Sequence, residues 1–408
     1  MNRQATPSPV WPGGSLASPE TGRPLYRDGR FLTDERREER WPVVEEIPYL
    51  RAGREELREL ASAALELGDE QAALAELLRD QDDWAPTPPP SRDAVEAAIR
   101  TAASGGPARE AMSALGFGPV ADYFAYRLSD PTYLAGLALI QAHWSSPRTA
   151  FELACGIGHY TRELSRRGVG ASAGDVVFAK LWLARRYLAP DARLVCFDAS
   201  RRFPLGDGCV DLALCHDAFY FLPEKPHVSS ELRRISGDQG TVIVGHSHNA
   251  AVENFSAGEP VSVTRHAELF PGAALYDDAE LARAAVAGRP PAPETARELS
   301  RCGAVGVAQG GARRRDTDRA APDLTLPPRG TPLRLNPLYS RDGTGTAYLE
   351  WPSERYREEY ESLSEYLPGE VEVDEDTLRR AAAEGTGASP EIDRLARRRV
   401  LVDAPEGL

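Results

Sequence analysis

From about Arg148 to Asn249 the chain alternates short apolar runs with helical patterns, and that rhythm limits the folds open to it. TAFEL, GASAGDV, ARLVCFD, VDLALCHD and GTVIVGHS read as strands, and TRELSRRG, FAKLWLARRYL and KPHVSSELRRI read as helices. Repetition of this kind predicts an α/β fold: a Rossmann-like, doubly wound, mostly parallel sheet with helices on both faces. In such a sheet ligands sit beyond the carboxyl ends of the strands, so residues at those ends are the first candidates for function.

The first strand ends in an acid, Glu152, and runs into the small-residue turn Ala154-Cys155-Gly156-Ile157-Gly158. Small residues let the backbone approach a ligand closely, and Gly adopts dihedrals closed to other residues. A turn that follows a strand and opens a helix points to a nucleotide-type ligand. Asp175, with Val176 after it, ends the next strand, where its carboxylate can accept ribose hydroxyls or cap the following helix. Asp198 ends the third. Its carboxylate can accept from an adenine amine, with the Ala199 amide donating to a ring nitrogen, or it can close a strand-end turn.

A dinucleotide favours a third Gly to pack the helix against the sheet, but Gly158 is followed by His159-Tyr160-Thr161. S-adenosylmethionine carries no phosphate, and its ammonium and sulfonium suit the Glu152 carboxylate. The acid favours the sulfonium cofactor.

On these residues, 148–249 resemble a class I S-adenosylmethionine-dependent methyltransferase. FELACGIG is similar to the family's first motif, with Ala154 where a Gly often stands. AGDVVFAKLWLARRYL, CFDASRRFPLGDGCVDLALCHDAFYFLP and ELRRISGDQGTVIVGHSH resemble the motifs that follow in order. The resemblance implies Glu152 and Gly158 near the methionine end, Asp175 on the ribose and Asp198 with Ala199 on the adenine, with Ala154, Cys155, Gly156 and Val176 also cofactor-binding. It places His216 on a loop beside the cofactor.

The segment LASPETGRPLYRDGRFL…WPVVEEIPYL is similar to a zinc-ribbon module that precedes or activates some methyltransferases. That module's cysteines are absent here: Ser18, Thr21 and residues near Thr33 to Glu38 stand in their places. Tetrahedral zinc needs thiolate or imidazole ligands, so the resemblance implies a module without metal, packed on Leu25, Phe31, Trp41, Val43 and Ile47.

Methyl transfer needs the acceptor in line with the leaving sulfur, and a base only where the acceptor loses a proton. His216 and His246 are the candidate catalytic bases, with His248 beside them in GHSHN; strand-end hydrogen bonding is the plain alternative. Asp217 and Tyr220 border the same region. Tyr123, Tyr126 and Arg127 precede the first strand, where Arg127 either pairs with the cofactor carboxylate or packs its helix on the sheet.

The rest divides into a Pro/Gly/Ser-rich, mobile start within the ribbon-like residues 1–50, a helical arm and linker over 51–147, the methyltransferase domain over 148–310, and a C-terminal extension over 311–408. One helix is expected from Glu55 to Leu78, with Leu57, Leu60, Ala64, Leu67, Leu74 and Leu78 inward. The Pro86–Ser91 cluster is a break, Ser91 a cap, residues 277–287 and 294–302 helices, and Gly310–Asp323 a loop.

The formal charge of −14 disfavours a broad nucleic-acid surface, although Arg313-Arg314-Arg315 is a local basic patch. Cys155, Cys196, Cys209, Cys215 and Cys302 form no C-x-x-C pair, which fits reduced thiols in a cytoplasmic protein and no metal site. No apolar run is long enough to span a bilayer, and the start lacks the apolar core of a signal peptide. The expectation is a methyltransferase using S-adenosylmethionine on a small-molecule acceptor, with a homodimer open. The alternatives are an rRNA or tRNA acceptor, a nicotinamide-dependent oxidoreductase, and a non-catalytic methyltransferase-like scaffold.

Overall fold

The computed structural model describes residues 11–85, 87–254, 257–310 and 321–408. Residues 1–10 of the Pro-rich start, Pro86 of the expected break and residues 311–320 of the expected loop, with Arg313-Arg314-Arg315, lie outside the described residues. The chain forms two compact units, neither continuous in sequence. The first holds the described residues of 11–96, 147–214 and 222–242, and the second those of 97–146, 215–221 and 243–408.

In the first unit, β1 (Tyr26–Asp28), β2 (Phe31–Thr33), β3 (Arg40–Val44) and β4 (Ile47–Leu50) follow one another as antiparallel neighbours. They are followed by β5 (Thr149–Leu153), β6 (Gly170–Asp175), β7 (Arg193–Phe197) and β8 (Leu212–His216), in the sheet order β1-β2-β3-β4-β7-β6-β5-β8. β5, β6 and β7 pair in parallel, and so do β4 and β7, with Tyr49 opposite Cys196 and Leu50 opposite Phe197. Apolar residues fill these strands on both faces because helices such as His159–Arg166 and Lys225–Ser236 join them. The α/β Rossmann-like fold expected from the rhythm is the fold observed.

Gly174 shows how tightly the sheet is covered. A Cβ there would fall 2.4 Å from Phe197 Cε1 and 3.1 Å from Phe151 Cζ.

In the N-terminal segment Leu25, Phe31, Trp41, Val43 and Ile47 are all buried. Two loops are tied by polar groups. The Ser18 hydroxyl accepts from the Glu20 and Thr21 amides, and Asp34 Oδ1 accepts from the Glu38 and Glu39 amides. Arg23 Nη1 joins the loops by donating to Asp34 at 2.5 Å and Glu38 at 2.8 Å.

The single helix expected over 55–78 is two, Glu55–Glu66 and Glu70–Leu77. Gly68, in the left-handed region at φ 78°, ends the first, and the Asp69 carboxylate caps the second. Leu60 and Leu67 are therefore exposed, and Ala61 and Leu65 face inward instead.

β8 and β9 (Thr241–His248) each run from the first unit into the second. In the second unit β9 neighbours β11 (Ala304–Gly310), and β10 (Ala274–Asp277) pairs with β11 antiparallel. The helix Asp278–Ala287 matches expectation, whereas 294–302 yields only a short 3-10 turn, Glu298–Arg301. The helices Arg92–Ala103, Ala108–Ala114, Val120–Tyr126 and Pro131–Ala142 precede β5. The last residues form β12 (Arg334–Leu335), β13 (Tyr339–Arg341), β14 (Thr346–Leu349), β15 (Glu370–Glu372) and β16 (Leu401–Val402), grouped as β12-β16 and β13-β14-β15. They pack around a core of their own that includes Leu338, Leu367, Ile392, Leu395 and Leu401.

Candidate functional site

The turn after β5 is the most constrained backbone in the first unit. Ala154, Gly156 and Gly158 all lie in the left-handed region, at φ 53°, 55° and 87°. Ala154 carries a Cβ in that conformation, which costs on the order of 1–2 kcal/mol. Gly158 begins the helix His159–Arg166, and a Cβ there would also press on Ala184 Cβ at 3.3 Å.

Two of the three strand-end acids brace this turn. Glu152 is 3% exposed, and its Oε2 accepts both the Thr161 amide, at 2.7 Å, and the Thr161 hydroxyl. It therefore holds the first turn of the helix to the end of β5. Asp175 reaches back from β6: Oδ2 accepts the Gly156 amide at 2.9 Å, and Oδ1 accepts the Val177 amide at 3.0 Å. The Lys180 ammonium stands 3.7 Å from Asp175 Oδ1 and 3.4 Å from Asp82 Oδ2. The local capping role and the position at the strand tip thus coexist in Asp175.

Asp198 differs from both. Its Oδ1 accepts the Ser200 amide at 2.8 Å, closing a strand-end turn, while its Oδ2 has no partner among the described residues. Ala199 is buried and Val176 half-buried. Cys155 is buried, which pushes its thiol well up, with Glu152 and Asp175 adding to the shift. It is an inert wall of the turn.

The second unit assembles a polar cluster from four segments. Asp217 Oδ2 accepts from Tyr123 Oη at 2.7 Å and from Arg127 Nη1 at 2.8 Å, and Oδ1 accepts from Tyr220 Oη at 2.5 Å. Arg127, 3% exposed, also pairs with Asp130 at 3.3 Å and stacks over the Tyr123 ring. His246 Nδ1 donates to Asp278 Oδ2 at 2.7 Å, and its Nε2 lies 3.8 Å from Asp217 Oδ1. The His248 ring stands against Tyr220 and His246, with centroids 4.5 Å and 4.9 Å away. Asp217 and His246 both have left-handed backbone, at φ 54° and 44°. Strain of that kind costs about 1–3 kcal/mol per residue and gathers where a site needs it.

Charge in this cluster follows from its neighbours. Burial disfavours the charged form of His246, yet Asp278 and Asp217 outweigh burial and push it up to about 9. Burial, and then the His246 charge, push His248 down to about 4. Burial works against ionised Asp217, but His246 and Arg127 hold it below the usual carboxylate range.

His216, expected on a loop, is instead the last residue of β8. Its Nε2 donates to the Thr132 carbonyl at 3.0 Å, and its ring fills the space over Gly245, where a Cβ would lie 2.1 Å from Nδ1. Burial, then Arg127, hold its pKa well below the ordinary value. It is fastened on the backbone of its own unit.

Sequence reasoning did not single out Asp278, Lys180 or Thr161. Asp278 had a faint signal as the first residue of a helix capped by Asp277, but nothing in sequence ties it to His246.

Comparison with known proteins bears on the first cluster. Residues 151–244 match the methyltransferase domain family. S-adenosylmethionine is the cofactor of this domain. The match covers Glu152, the small-residue turn, Asp175, Val176, Asp198 and Ala199. No curated protein matches the chain. Among solved structures it is similar to a candidate methyltransferase from Bacillus halodurans, at 23% identity over 29% of this chain with a TM-score of 0.26. That match spans 52% of the Bacillus chain, about half its length. The complex of the Trm112 methyltransferase activator with a candidate methyltransferase from Haloferax volcanii is 20% identical, covering 53% of this chain and 98% of that one, at a TM-score of 0.36. A TehB-like S-adenosylmethionine-dependent methyltransferase from Corynebacterium glutamicum is 17% identical, covering 43% and 87% of the two chains, at 0.33. No helix among the described residues is long and apolar enough to cross a membrane.

Proposed function

We propose that the protein is an S-adenosylmethionine-dependent methyltransferase acting on a small-molecule acceptor. The observation that carries this is the left-handed turn after β5, braced by Glu152 and Asp175 within the segment that matches a methyltransferase domain. Glu152, held by hydrogen bonds from Thr161, stands where its carboxylate can balance the cationic methionine end. Asp175 keeps spare lone pairs for ribose hydroxyls, because each carboxylate oxygen accepts about two hydrogen bonds. Asp198 Oδ2, which has no partner among the described residues, is the acceptor for an adenine amine, with the Ala199 amide beside it. Ala154, Cys155, Gly156 and Gly158 form the close wall, and Val176 flanks the ribose.

Bound there, S-adenosylmethionine would supply an activated methyl group to an acceptor lone pair and leave as a neutral thioether, with the acceptor losing a proton where it carries one. Asp278 orients His246, whose Nε2 faces Asp217. His216, tied to Thr132, supports that group from behind Gly245.

We further propose that residues 11–50 are a metal-free counterpart of a zinc-ribbon module. Ser18 and Asp34 gather backbone amides in two loops, and Arg23 bridges those loops.

Calorimetry with adenosylhomocysteine and with NAD tests the assignment. Binding of the first alone supports it, and binding of NAD alone, or of neither, defeats it. The charge of −14 favours a small acceptor over RNA, so tRNA and rRNA should be retained no better than nonspecifically at physiological salt.

A further inference from the structure

Asp217, His246 and His248 each offer a ligand atom, and these atoms lie within 4.8 Å of one another. Three observations make the group more than a chance meeting of polar residues.

The first is orientation. His246 donates its Nδ1 proton to Asp278, which fixes the ring and leaves Nε2 as the coordinating nitrogen; metal-binding histidines are usually held by such a carboxylate. The second is availability. Neither ring nitrogen of His248 has a hydrogen-bond partner among the described residues. The third is backbone. Asp217 and His246 both adopt left-handed dihedrals to bring their side chains together.

We propose that Asp217, His246 and His248 bind one divalent first-row transition metal, with zinc as the reference ion. Two imidazoles and a carboxylate suit zinc, iron or nickel, whereas magnesium and calcium prefer all-oxygen shells. Three protein ligands leave a position open, as catalytic zinc sites do. Asp217 coordinates through Oδ1, the atom nearest His246, while Tyr123 and Arg127 keep Oδ2 in place. Tyr220, which donates to Oδ1, stays on that oxygen's second lone pair or turns to the metal-bound ligand.

The open position takes water or another oxygen or nitrogen ligand, and binding of the ion does not depend on the methyltransferase assignment. Asp217 follows β8 while both histidines lie on β9, so only the fold brings the three together.

The test uses the full chain, freed of metal with a chelator and titrated with Co(II), followed by visible absorption. One Co(II) per chain with ligand-field bands, displaced by Zn(II), is expected. His248→Ala should lower the affinity at least 100-fold, and Asp278→Asn 10- to 100-fold, with far-UV circular dichroism unchanged. His248→Gln is the second variant should His248→Ala fail to fold. Absence of stoichiometric Co(II) uptake by the wild type, or equal uptake by a folded His248 variant, overturns the proposal. Adenosylhomocysteine binding to the metal-free protein is measured alongside. If it persists while Co(II) binding fails, only the metal site is lost; if it fails while Co(II) binds, only the donor assignment is lost.

Discussion

Asp175, at the end of β6, holds the Gly156 amide 2.9 Å from its Oδ2 and so shapes the turn that follows β5. One carboxylate therefore sets the backbone of a neighbouring strand's loop and also stands at the proposed ribose position. The neighbouring acid Asp198 braces its own turn and has one oxygen without a partner among the described residues.

That contrast separates the two acids by experiment. Asp175→Ala should weaken adenosylhomocysteine binding at least tenfold, about 1.4 kcal/mol, and lower the unfolding midpoint as well. Asp198→Ala should weaken binding to a similar degree with a smaller change in stability. Calorimetry paired with urea unfolding reads both quantities, and unchanged affinity in both variants would remove the donor cradle.

Thr161→Val keeps the shape of a residue that is fully buried and deletes the hydroxyl that donates to Glu152. The buried carboxylate then loses a charge-assisted partner, at a cost of about 1–3 kcal/mol. Urea denaturation should show this loss with little change in slope.

Gly174→Ala tests the packing of the sheet. The added carbon would meet Phe197 within 2.4 Å, so the ring must move. Overpacking of this kind destabilises by about 1–3 kcal/mol. A variant as stable as the wild type would mean that the sheet yields more easily than its contacts imply.

Glu231 supplies a pH dependence. Burial raises its pKa, but Arg234 and the Phe203 amide overcome burial and leave the folded value below the ordinary 4.5. A carboxyl lowered by folding adds stability that is fully present above its unfolded pKa and is lost as pH falls through the folded one. Glu231→Gln should therefore cost stability at neutral pH and flatten the acid limb below about pH 4.5. Unfolding midpoints of both proteins from pH 3 to 7 measure it, and parallel curves would contradict the assignment.

Much of the first unit was readable because parallel strands covered on both faces become uninterrupted apolar runs, as in ARLVCFD and GTVIVGHS. The acids Glu152, Asp175 and Asp198 were visible because each closes such a run. The phase of the helices over 55–77 was not: Leu60 and Leu67 continue a helical stripe in sequence, yet Gly68 breaks the helix and the burial follows Ala61 and Leu65. β10 was missed because ALYD is short and pairs with β11, a long-range contact. The Asp278–His246 pair was invisible for the same reason, since it spans separate elements with no periodic spacing. His216 had the right residue type for a base, and only its tie to Thr132 shows that its ring is occupied.

β4 flanks β7 with Tyr49 beside Cys196 and Leu50 beside Phe197. Trimming the protein to its Rossmann-like core would strip that cover and turn β7 into a bare, adhesive rim of unpaired amides and carbonyls. Minimal fragments starting past Leu50 should then precipitate or recruit foreign strands, however intact their donor-binding turn.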